Sequence, residues 1–165
     1  MWGLLWLAAC QPPKDSAAPP PLDTSAHDTG DGCGETAPTI TDLWLENAGL
    51  EDNEQGEPTP TLSVHAVTDD PDGDLHQHTV DLWWDDVADG SVAQDPERHE
   101  TDPSTVETDL PCSILNTTAR MRVFVSDARF DYSTAYEWAV TVTDANGHAS
   151  EVAITTATTP AADGS

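Results

Sequence analysis

From residue 37 onwards apolar and polar residues alternate with period two in short runs, and Gly, Pro, Asn and Asp separate the runs. This is the pattern of half-buried strands, and no ten-residue window carries a helical stripe. In residues 61–67, Leu62, Val64 and Ala66 fall on one face and Ser63 and His65 on the other. After the turn-forming stretch Asp69-Asp70-Pro71-Asp72-Gly73-Asp74, a second run sends Val80, Leu82 and Trp84 inward and Asp81 and Trp83 outward. Met121, Val123 and Val125 mark a third run, and residues 136–143 give the clearest strand of the chain. An opening strand over 39–45, with Asn47-Ala48-Gly49 as its exit, precedes these runs. A closing strand through Val152, Ile154 and Thr156 follows the Asn146-Gly147 reversal, where both residues tolerate positive φ. Residues 85–111 read as an extended connection or insert, with a short strand suggested only at 104–108. Strands without helices predict an all-β, antiparallel β-sandwich over residues 37–160, followed by a flexible C-terminus at 161–165.

The N-terminal stretch has a different composition. Its first ten residues are uncharged, too few to cross a bilayer, which takes about 20. Leu7-Ala8-Ala9-Cys10 resembles the lipobox of bacterial lipoproteins. The resemblance implies a signal at residues 1–9 and acylation of Cys10 through its sulfur, leaving Cys10 as the lipid anchor and new first residue. The signal is shorter than such signals usually run, which a misplaced start codon explains. Residues 10–36 are rich in Pro, Asp and Thr and poor in large apolar side chains, so they predict a disordered tether spanning on the order of 30 Å. Its composition resembles the linkers of surface lipoproteins from large-genome Gram-negative bacteria. The implied address is the bacterial cell envelope, at the outer membrane or cell surface.

With Cys10 assigned to lipid, Cys33 and Cys112 remain as an even pair in an oxidising compartment, and a disulfide between them is expected. It would clip the end of the tether to the folded domain, for about 3 to 4 kcal/mol of chain-entropy stabilisation. Two unrelated free thiols are the alternative. A zinc site has little support, because neither cysteine has a CxxC companion.

Charge narrows the partners. The chain has 31 Asp+Glu against 5 Lys+Arg, a formal net charge of -26. Such a surface repels nucleic-acid phosphates, so nucleic acid is excluded as a partner. The membrane is reached through the lipid anchor, and a protein or glycan partner is left open.

Three stretches together resemble a PKD-type, immunoglobulin-like bacterial surface domain. They are Asp70-Pro71-Asp72-Gly73-Asp74-Leu75, the strand ending in Trp84-Asp85 with Asp89-Gly90 after it, and the run from Tyr136 through Trp138 and Asp144 to Gly147. The resemblance implies an immunoglobulin-like sandwich used for adhesion, binding or spacing. Tyr136 is a candidate tyrosine corner, and Trp84 and Trp138 are expected as a facing core pair.

Asp70, Asp72 and Asp74 concentrate carboxylates in one turn, and hard cations such as calcium take oxygen ligands. The stretch is not an EF-hand: with Asp70 at position 1, position 6 is Leu75, where glycine is needed. Calcium would use a sandwich-loop geometry instead, drawing on Asp144 or Asp127. The same residues also suit plain turn chemistry, with Pro fixing φ and Gly accepting positive φ. Trp83, outward and flanked by acids, is a candidate glycan-stacking platform. His76 and His78 share one strand face without a third ligand, which leaves them as polar surface. No GxSxG, HExxH, phosphate-cradling loop or activated cysteine is present, and no enzymatic activity is expected. The sequence thus points to a non-catalytic, lipid-anchored envelope protein presenting an adhesion, binding or spacer module. The alternative is an accessory scaffold subunit of an envelope enzyme or export complex.

Overall fold

The computed structural model describes residues 33–88, 90–92, 99–126 and 129–165. The signal stretch, Cys10, most of the tether, Asp89 and Asp127 lie outside the described residues.

Seven strands form two antiparallel sheets: β1 (Thr39–Asp52), β2 (Pro58–Asp69), β3 (Gln77–Asp85), β4 (His99–Thr105), β5 (Asn116–Phe124), β6 (Ala135–Thr143) and β7 (Ala153–Thr158). One sheet has the order β1-β2-β5 and the other β4-β3-β6-β7. Three hairpins, β1-β2, β3-β4 and β6-β7, are joined by connections that pass between the sheets, so the fold is a β-sandwich.

The core lies between the inner faces. Leu62, Val64 and Ala66 of β2 and Ala119, Met121 and Val123 of β5 meet Val80, Leu82 and Trp84 of β3 and Tyr136, Trp138, Val140 and Val142 of β6. Trp84 and Trp138, expected as a facing core pair, lie opposite each other in the core. They are cross-strand neighbours in one sheet, with ring centroids 6.2 Å apart. Phe130, from the loop before β6, fills the aromatic cluster at 4.8 Å from Trp84 and 5.5 Å from Trp138. The Tyr136 phenol oxygen accepts the Asp131 N–H at 3.0 Å, tying the strand to the loop just upstream as a tyrosine corner does.

Two strands depart from the sequence expectation. β1 does not exit at Asn47-Ala48-Gly49 but continues to Asp52, because a bulge there lets the pairing with β2 resume at Gly49. The Asn47 side chain accepts the Gly49 N–H at 2.8 Å and so stabilises the irregularity. An earlier bulge between Ile40 and Asp42 switches the alternation, which is how Ile40, Leu43 and Leu45 all reach the core. β4 lies within 99–105, displaced towards the N-terminus from the expected 104–108. It contains Pro103, which a strand on the edge of its sheet accommodates because one side of it needs no donor.

Residues 161–165 close into a turn, with Ala161 N–H bonded to Ser165 O at 2.9 Å and Asn47 Nδ2 donating to Gly164 O at 3.1 Å. The Ser165 hydroxyl and amide, both donating to Asp163, hold that exposed carboxyl below its ordinary value.

Candidate metal centre

The acidic turn and the β6-β7 turn meet at one end of the sandwich. Asp70 and Asp74 come from the β2-β3 connection, Asp144 from the residue after β6, and one carboxylate oxygen of each lies within 4.8 Å of the other two. All three are buried, with Asp70 and Asp74 each 1 % exposed. Among the described residues this is the one grouping of at least three acidic, His or Cys side chains so placed.

Local structure fixes each carboxylate by one oxygen. Asp70 Oδ1 accepts the Asp72 N–H at 2.9 Å, closing the Asx turn that Pro71 and Gly73 favour. Asp74 Oδ2 accepts Asn146 Nδ2 at 2.6 Å. Asp144 Oδ1 accepts the N–H groups of Asn146 and His148 at 2.9 and 2.8 Å, the side chain bracing the reversal that Gly147 permits. The second oxygens differ in their surroundings. Asp144 Oδ2 faces His148 Nδ1 at 3.3 Å. Asp70 Oδ2 is shut off from solvent and accepts no hydrogen bond. A buried carboxylate oxygen without a donor is costly, and carboxylates drawn together out of water repel unless a cation sits among them. The arrangement can therefore hold a hard cation through oxygen ligands.

Asp72 does not join the cluster. Its carboxylate turns the other way and accepts the Thr36 N–H from the segment before β1. Of the expected Asp70, Asp72 and Asp74, the structure groups Asp70 and Asp74 with Asp144, which the sequence had offered as a further ligand, while the Asp72 carboxylate is engaged by the Thr36 N–H.

Cys33 and Cys112 are joined by a disulfide, Cα to Cα 5.0 Å. Cys112 is exposed and Cys33 half-buried. Behind the acidic turn, Gly73 has φ 78° and lies so close to the Cys112 carbonyl that a Cβ there would be 2.5 Å from its oxygen. Gly73 O accepts the Ile114 N–H at 2.9 Å, and Leu115 O accepts the Asp70 N–H at 2.8 Å. The disulfide loop thus backs the turn that carries two of the three carboxylates.

Trp83 points outward, as alternation requires, but it is not a bare platform. One face of the indole stacks on His99 at 4.7 Å and 9°. His99 Nε2 in turn meets Asp81 Oδ1 at 2.8 Å. The other sheet repeats the trio: Trp44 stacks on His65 at 4.9 Å and 1°, and His65 Nε2 lies 3.0 Å from Glu46 Oε1. Sequence reasoning missed both trios. The only local signal is an acid two residues before each tryptophan in one case, Asp81 with Trp83, and two after in the other, Trp44 with Glu46. His78 is buried and donates Nδ1–H to Leu75 O at 2.9 Å, so it is a structural residue of the turn. A concavity of about 680 Å³ is lined by Glu46, Glu51, His65, Glu100, Arg120 and Arg122 among others. There Arg122 pairs with Glu51 at 3.3 Å, while the wall as a whole stays acidic, with Glu46, Glu54, Glu100 and Asp102 also on it.

Comparison with known protein families and with curated proteins returns no match for this sequence.

Proposed function

We propose that this chain is a non-catalytic, lipid-anchored envelope protein that presents one immunoglobulin-like sandwich as an adhesion or spacer module, stiffened by a divalent cation, calcium by preference. The observation that carries this reading is the buried cluster of Asp70, Asp74 and Asp144. It lies on the loops beside the segment where the tether joins the domain, a place where rigidity sets how the module is held away from a membrane. Ligand oxygens within 4.8 Å of one another suit a cation whose bonds run about 2.3–2.6 Å, and calcium tolerates irregular oxygen shells that magnesium does not. The Leu7-Ala8-Ala9-Cys10 stretch and the Pro-rich segment after it supply the anchor and the reach.

The test is the melting temperature of the full chain carrying Cys10→Ser, in millimolar calcium, in magnesium, and in NaCl of matched ionic strength. Calcium at ten times its Kd should add about 1.4 kcal/mol, a rise of about 5 °C beyond the controls. Asp70→Asn should abolish that increment. Equal rises with calcium and magnesium, or a calcium rise that survives Asp70→Asn, would remove the site.

A further inference from the structure

We infer that the Cys33–Cys112 disulfide is a redox latch on the cation site. Oxidised, it holds residues 33–36 as a strap across the acidic turn; reduced, it releases the strap and weakens cation binding. This rests on the cation reading above and adds its control.

Both halves of the disulfide touch the ligand loop. On the Cys33 side, Gly34 O accepts Asn146 Nδ2 at 3.1 Å, and the same amide nitrogen donates to Asp74 Oδ2 at 2.6 Å. One side chain therefore links the strap to a carboxylate of the cluster. Two residues on, Thr36 N–H donates to Asp72. The strap lies so close that a Cβ on Gly34 would sit 2.3 Å from the Asp72 carboxyl carbon. On the Cys112 side, the carbonyl of the half-cystine packs against Gly73, midway between Asp72 and Asp74. Glu35, Thr36 and Ala37 are exposed, so water competes for the polar contacts of this part of the strap. Ordering exposed residues costs backbone entropy, and the covalent tie at Cys33 offsets part of that cost.

The tie is within reach of a reductant, because Cys112 is exposed. A dithiol donor gives two electrons and two protons: the Sγ–Sγ bond breaks, two thiols form, and the donor becomes a disulfide. In this scheme Asp72 anchors the strap and is not a ligand. Linkage makes the effect mutual, so bound cation protects the disulfide from reduction by the same factor.

The experiment is calorimetric titration of CaCl₂ into the full chain carrying Cys10→Ser, oxidised and after reduction with dithiothreitol, with and without Asp72→Ala. The oxidised chain is expected to bind about tenfold more tightly than the reduced one. Asp72→Ala is expected to weaken only the oxidised chain, because reduction has already freed the strap. Equal affinity in the two redox states overturns the latch and leaves the cation site standing; no binding in either state removes the site and the latch with it. Should reduction unfold the domain, as circular dichroism would show, Gly34→Val displaces the strap with the disulfide intact. Lost affinity in that variant supports the latch, and unchanged affinity overturns it.

Discussion

Asp70 and Asp72 stand two residues apart in one turn and serve opposite ends of it. Asp70 is buried beside Asp74 and Asp144, whereas Asp72 reaches out to Thr36. The division follows from the turn itself: Asp70 Oδ1 accepts the Asp72 N–H, which turns the chain and swings the next carboxylate away. A similar economy holds at Tyr136, whose ring packs in the aromatic cluster while its oxygen accepts the Asp131 N–H. Tyr136→Phe keeps the ring and strands that N–H. It should cost about 1 kcal/mol, read as a lower urea midpoint at unchanged slope. A midpoint equal to that of the parent would mean that water replaces the phenol oxygen without loss.

Strands are placed here by what their neighbours can tolerate. β4 accepts Pro103 because it is an edge strand, paired with β3 on one side only. β6 runs between β3 and β7, and its inward residues from Tyr136 to Val142 are all buried. Prolines at the two positions therefore have opposite consequences. Replacing Pro103 with Thr should change stability by no more than about 0.5 kcal/mol, whereas Val140→Pro removes a ladder donor in a central strand and should prevent folding. Thermal unfolding followed by circular dichroism separates them. A large loss at Pro103→Thr would show that the proline itself blocks an unwanted edge pairing.

At the scale of the whole molecule, a formal charge of -26 on 165 residues pushes the folded chain apart. Two of the arginines, Arg122 and Arg129, are engaged in local ion pairs. Arg129 lies 5.3 Å over the Trp84 ring and pairs with Glu100 at 2.9 Å. Salt should therefore stabilise this protein even without a specific site. Raising NaCl from about 0.02 to about 0.5 M, which shortens the screening length severalfold, should raise the melting temperature by a few degrees. A flat response would mean that the acids are already spaced widely enough not to interact. That non-specific rise is the baseline against which the calcium increment must be measured.

Much of this was legible in the residues. Period-two alternation named the inward positions of β2, β3, β5 and β6, because the side-chain period of a strand is local geometry and needs no partner. Turn chemistry located the acidic turn and the Asn146-Gly147 reversal for the same reason. The pairing of Cys33 with Cys112 followed once Cys10 was set aside, though nothing local shows that they lie 5.0 Å apart at Cα. The rest belongs to register and topology. The bulges of β1 shift its alternation by one residue, and a one-residue shift exchanges the faces of a strand, so period counting alone misplaces its exit. The Trp83–His99 and Trp44–His65 stacks exist because register sets those residues opposite each other on paired strands. Asp144 is 74 and 70 positions along the chain from Asp70 and Asp74, and only the packing of one loop end against another brings it beside them. The sequence by itself determined which residues turn inward and where the chain reverses, because both are set within a few bonds. Only the tertiary structure decided which carboxylates share one buried space, because that depends on contacts between residues that local geometry does not relate.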